Sequence, residues 1–168
     1  TIDVADDKTL TYSGAAVEIG EYTLNVIGGG ILNNNNALVL ASGGSKLLLD
    51  STTLNKASTS SGSLGLDVNA NSTVTSLSVG HTTPVSIASN KTLSGAITVS
   101  AGSLKLNETG TLASTVTMSG GTLDADKNLT VSGALTHTAD ITIDVANNKT
   151  LTYSGSAISV GANTITLS

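Results

Sequence analysis

The adjacent carboxylates Asp6 and Asp7 are the pair best suited to acid–base chemistry, since hydrolysis of a glycosidic bond takes two acids on one face. A near-copy of their surroundings recurs 141 positions later, and there the pair reads Asn147-Asn148. An amide cannot exchange a proton at neutral pH, but Asn and Asp both cap the backbone at sharp bends. Both copies are read as coil-corner residues, and no catalytic role is expected of either.

The other reactive side chains are scattered. Asp124 and Asp126 lie two apart, would share a strand face and could bind calcium weakly. The Gly-Gly-x-Gly-x-Asp calcium nonapeptide is missing, so a solvated edge is the reading. His81 and His137 are far apart, with no Cys in the chain and no metal-ligand spacing. Both are read as surface residues, and no metal or cofactor is expected. The run Asn33-Asn34-Asn35-Asn36 could contact a glycan, but is read as a coil corner whose side chains bond the next coil.

Threonine pairs offer a different chemistry, because rows of outward hydroxyls on a flat face can order water as ice does. With a residue other than Gly at its centre, Thr-x-Thr occurs at Thr9-Leu-Thr11, Thr73-Val-Thr75, Thr115-Val-Thr117, Thr136-His-Thr138, Thr150-Leu-Thr152 and Thr164-Ile-Thr166. A binding plane needs one such pair per coil at constant phase. The starts fall 64, 42, 21, 14 and 14 residues apart, of which 21 and 42 fit a coil and 14 does not. Thr9, Thr11, Thr115, Thr117, Thr150 and Thr152 are the candidate binding face. The simpler reading is that Thr is favoured on the outer side of strands.

What must position these residues follows from the composition. Trp, Phe, Cys, Arg and Gln are absent, and Tyr12, Tyr22 and Tyr153 are the only aromatics. The core must therefore be built from Val, Ile, Leu and Ala, which suits a thin core closed by short strands. Ser and Thr supply 49 residues, yet 39% of the chain is apolar, too much for a disordered segment. All seven cations are Lys and the net charge is −5, which argues against a nucleic-acid partner. No apolar run approaches the ~18 residues of a membrane helix, so no membrane insertion is expected.

Repetition supplies the architecture. Residues 1–26 return at 142–167 with 15 of 26 positions identical, and Lys-x-Leu-x-x-Ser-Gly occurs at Lys8, Lys127 and Lys149. A second turn type, small-Gly-small-Leu, lies at 61–64, 101–104 and 120–123. Between the turns, apolar residues alternate with period 2: Ile97, Val99 and Ala101, then Leu104 and Leu106; Val116 and Met118, then Leu123; Leu129 and Val131, then Leu135. Units this short cannot bury an apolar face alone and must stack. Asn-Gly and Asp-Gly, the hairpin dipeptides of an antiparallel sandwich, do not occur. The pattern predicts an all-β chain: one domain over 1–168, a single-stranded parallel β-helix (β-solenoid) of eight or nine coils of roughly 20 residues. Both ends read as ordinary repeat units, so end-to-end self-association or continuation in a longer chain is expected.

Coils such as LTVSGALT, ITVSAGSLKL and VTMSGGTLDADKNLTVSG resemble the passenger repeats of bacterial autotransporters and filamentous-haemagglutinin-type adhesins. That resemblance implies a right-handed parallel β-helix, exported to the bacterial cell surface as a stalk or adhesin, with a glycan or host-surface ligand. The chain departs from it in having no Arg-Gly-Asp and no aromatic-rich groove. The expected function is a structural repeat module forming a rigid stalk or stacked fibre. The alternatives are an adhesin-type or ice-binding module with a regular Thr/Asn face, and a carbohydrate-active enzyme, which the absence of Arg disfavours.

Overall fold

The computed structural model describes residues 1–60 and 65–168. Among them there is no helix, and so none long and apolar enough to cross a membrane. The small-Gly-small-Leu turn at 61–64 lies outside the described residues.

Every strand pair is parallel, and each strand bonds to one about a coil further along the chain. Two sheets result. Sheet A stacks nine strands: Ile2–Asp3, Thr23–Ile27, Lys46–Asp50, Gly65–Val68, Thr83–Ile87, Ser103–Leu106, Thr122–Ala125, Ile141–Val145 and Ile165–Leu167. Sheet B carries the return strands. In the middle coils these are long and single, as in Thr53–Thr59, Ser72–Val79 and Thr92–Val99. Elsewhere a bend divides them in two, as in Thr9–Tyr12 with Val17–Ile19 and Thr111–Leu112 with Thr115–Met118. The chain thus makes eight turns, the β-solenoid that the repeat pattern predicts, and Ile165–Leu167 begins a ninth. Numbering coils from their sheet A strands, coil 1 is 1–22, coil 2 is 23–45, coil 7 is 122–140 and coil 8 is 141–163. At ~4.8 Å per strand spacing, the stack is about 40 Å long.

Alternation builds the core. Leu24, Leu47, Leu66, Val85, Leu106 and Ala125 form one inward column of sheet A, in successive coils. Leu10, Leu32, Leu54 and Val74 form one of sheet B. Small branched side chains stacked on their own kind fill a narrow interior without aromatics, and one buried cluster runs from Ile19 to Ile143. The residues predicted to point inward are buried, except Ala101. It falls where the chain turns out of sheet B, at Gly102 with φ +70, and the alternation ends one residue earlier.

Corners follow backbone requirements. Asp7 and Asn148 take φ of 59 and 60, the left-handed region that Asx residues tolerate, and Asn90 does the same. Gly30 has no room for a side chain, because a Cβ there would meet the carbonyls of Ala5 and Lys8 in the coil beneath. The two copies of the long repeat fold alike. Ile2 pairs with Val26 as Ile143 pairs with Leu167. Lys8 N donates to Ala5 O at 3.1 Å, as Lys149 N does to Ala146 O at 3.0 Å. Val4 N reaches Ile27 O at 3.0 Å, and Val145 N reaches Ser168 O at 3.0 Å.

Candidate functional site

Asp6 and Asp7 sit exposed on the turn closed by Lys8 N and Ala5 O, and Asn147 and Asn148 occupy the same corner in coil 8. Among the described residues, no group of three or more His, Asp, Glu or Cys side chains could hold a metal ion. Asp124 and Asp126 face the same cation: Lys105 Nζ lies 3.1 Å from Asp124 and 2.8 Å from Asp126. Its hydrogen bonds to Asp126 and then Asp124 raise the Lys105 pKa above the ordinary 10.5, against a lowering by desolvation. The two acids are a clamp on a lysine from the previous coil, not the free solvated edge expected. Lys46 makes the matching diagonal pair with Asp67 at 2.7 Å. These charges lie on the outer face of sheet A.

Only half of the asparagine run is a corner: Asn33 and Asn34 end the strand Ile31–Asn34, and Asn35-Asn36 make the bend. Asn34 is fully buried, and its amide donates to Asn36 O and Lys56 O at 2.8 Å while its oxygen accepts from Lys56 N at 3.2 Å. Asn55 donates to Asn33 at 3.3 Å and Asn36 to Gly14 O at 2.8 Å, so the run ties coils 1, 2 and 3 together. Every polar atom of Asn34 is spent on backbone, leaving nothing for a ligand.

One of the two histidines differs from expectation. His81 is exposed. His137 instead occupies an inward position, stacked in register on Met118. Its Nδ1 lies 3.0 Å from Ala139 O, and its Nε2 is buried with no protein partner. The alternation that sets His137 opposite Thr136 and Thr138 is correct, but it is the threonines that face solvent.

The six threonines do not share one face. Thr9 and Thr11 lie in coil 1 and Thr150 and Thr152 in coil 8, at opposite ends of the first half of sheet B. Thr115 and Thr117 lie in the second half. A hydroxyl array does exist there, with different members. Ser58, Ser78, Thr98, Thr117 and Thr136 form one outward column over five consecutive coils, one residue per coil. Two residues further along each strand, Ser60, Gly80, Ser100, Ser119 and Thr138 form a second, its hydroxyls interrupted at Gly80. Thr136 donates to Thr117 at 3.2 Å and Thr138 to Ser119 at 3.4 Å, so hydroxyls bond along the columns. On this face the strand segments 76–80, 96–100, 115–119 and 134–138 carry no charged side chain, in contrast to sheet A, while 56–60 carries the exposed Lys56, in register with Ser76.

The Thr-x-Thr spacing pointed elsewhere because coil lengths vary. Thr115 and Thr136 start 21 residues apart, but the register here is 19, so Thr136 stacks on Thr117 and not on Thr115. Across the molecule the register ranges from 19 to 24 residues. A strand-by-strand alignment on the inward Val, Ile and Leu residues would have found the columns.

Comparison with known proteins adds no relative: no family model, no curated protein and no solved structure matches the chain.

Proposed function

We propose that this protein is a structural module, a rigid rod segment of a bacterial surface protein whose task is length and stiffness. The observation that carries the reading is the inward ladder: apolar side chains stack in register from coil to coil, and the ion pairs Lys46–Asp67 and Lys105–Asp126 tie neighbouring coils. A stack held by parallel backbone bonds and interlocked aliphatic columns resists bending and offers proteases few loose segments. The composition, rich in Ser, Thr and Asn and with Lys as its only cation, and the coil resemblance support presentation outside the cell. Small-angle scattering with limited proteolysis tests the rod. An elongated particle of about 40 Å that survives protease is expected. A compact globular particle, or rapid cleavage throughout the chain, would end this reading.

The two hydroxyl columns favour a second reading, an ice-binding face. Their repeat along the rod is the strand spacing of ~4.8 Å, and over coils 4 to 7 the strand segments of this face carry no charged side chain. The test is inhibition of ice growth by the wild type and by Thr98→Lys. Inhibition abolished by the lysine supports the reading, and a wild type without inhibition removes it.

A further inference from the structure

The corner that leads from sheet A into sheet B gathers polar side chains that the core does not use. Seven of the 14 asparagines lie on it, and five of these begin Asn-x-Thr: Asn71, Asn90, Asn107, Asn128 and Asn148. None of the seven asparagines elsewhere has Ser or Thr at that spacing. The five fall one to a coil, in each of coils 4 to 8. Their number is what so much Ser and Thr would produce by chance, but their placement is not. The third residue is Thr every time, although Ser is nearly as frequent in the chain. Asn-x-Ser/Thr is the tripeptide whose side-chain amide is coupled to sugars, and it must be exposed to be used.

Two local geometries present the amide. Asn90-Lys91-Thr92 and Asn148-Lys149-Thr150 are the same tripeptide in the same turn. Both asparagines have φ 60, and the following lysine N donates to Ala88 O at 2.9 Å in one copy and to Ala146 O at 3.0 Å in the other. Asp7 occupies that turn in coil 1 with φ 59, so the bend accepts an acid and does not itself require Asn. Asn71 and Asn128 are held differently. Asn71 Oδ1 accepts from Thr92 N at 3.0 Å and Asn128 Oδ1 from Thr150 N at 2.9 Å, each bond reaching the next coil. Pinning the oxygen fixes the amide plane and leaves Nδ2 without a partner among the described residues. All four side chains are exposed. The two members of each kind are three coils apart, about 14 Å along the rod. Asn107 is the exception, half-buried with its Oδ1 enclosed and unpartnered.

We propose that Asn71, Asn90, Asn128 and Asn148 are acceptors for N-linked sugars, and that Asn107 is not. The donor class is a sugar diphosphate carried on a nucleotide or a lipid. Nδ2 attacks the anomeric carbon, and the bond from that carbon to the phosphate oxygen breaks. The carrier diphosphate leaves with the electron pair, and the amide gives up one proton to a base on the transferase. The inference rests on presentation outside the cell, as read above, and adds what the surface carries. The sugars cover the corner where the backbone leaves its sheet ladders, which is where a protease would enter.

The test is mass spectrometry of the chain isolated from the cells that make it, with electron-transfer fragmentation of its peptides to locate added mass. Intact cells are labelled in parallel with an amine reagent that does not cross membranes. Sugar is expected on the four exposed asparagines and on no other. Steps of one monosaccharide identify a nucleotide-borne donor, and one large block per site identifies a lipid-borne one. Asn90→Asp and Asn148→Asp copy Asp7, so each is expected to keep the circular dichroism spectrum and lose one sugar. Thr130→Val keeps the branched shape of the strand residue, removes its hydroxyl and is expected to strip Asn128. A chain without sugar overturns the proposal, as does sugar on Asn107 or on asparagines away from this corner. If the sugar-free chain is labelled on intact cells, the surface reading stands and only the modification falls. If it is not labelled, both fall.

Discussion

Leu54 and Leu10 occupy the same inward column, two coils apart, and truncating each to Ala separates the two contributions that hold a solenoid coil. Leu54 is fully buried, with Leu32 on one side and Val74 on the other. Leu10 has Leu32 on one side only and is 46% exposed. The Leu54→Ala change removes the same carbons from water-free surroundings and leaves a void that two fixed neighbouring coils cannot close. That combination costs about 3 kcal/mol, within the range for buried leucines. Leu10→Ala forfeits roughly half the transfer energy and opens no closed cavity, a loss of about 1 kcal/mol. The expected difference is therefore about 2 kcal/mol between chemically identical substitutions. Urea unfolding followed by circular dichroism, at concentrations where the chain is monomeric, reads both. Equal costs in the monomer would refute the one-dimensional stacking argument, because they would mean that burial by a second neighbouring coil adds nothing.

Three further substitutions probe particular devices. Gly95, with φ +115 inside the strand Thr92–Val99, sits where the register with Ser72–Val79 shifts, and a Cβ there would collide with the Val74 carbonyl oxygen. Gly95→Ala should lower stability by at least ~2 kcal/mol in urea melts, and an unchanged midpoint would disprove the strain. His137→Met extends the Met118 column and removes a buried nitrogen that no protein group satisfies. It should raise stability by about 1 kcal/mol even after losing the Ala139 hydrogen bond, and a loss of stability would count against the inward assignment. Lys105→Met removes both ion pairs of Lys105 and should cost about 0.5–1 kcal/mol at neutral pH, since the lysine is one-third exposed and screened by solvent. The folded pKa of Lys105 is raised, so its contribution is complete below the ordinary value of 10.5 and fades as pH rises through the folded pKa. Stability differences between wild type and variant, measured from pH 7 to 11.5, should hold constant and then shrink. A difference that grows with pH would contradict the sign.

The inward half of this molecule was legible in the sequence and the outward half was not, and the reason is physical. Most inward residues are apolar whatever the corner lengths, so Ile97, Val99, Leu104, Leu106, Val116 and Met118 announce themselves by alternation alone. The recurrence of 1–26 at 142–167 is read correctly for the same reason, since whole coils, corners included, are repeated. Outward residues become an array only when neighbouring coils are placed in register, and that depends on how many residues each corner consumes. A register that drifts between 19 and 24 breaks any fixed spacing, which is how Thr115 and Thr136 suggested a common phase while Thr117 and Thr136 share it. The same blindness hid the Lys105 clamp, whose members come from adjoining coils, and turned His137 the wrong way.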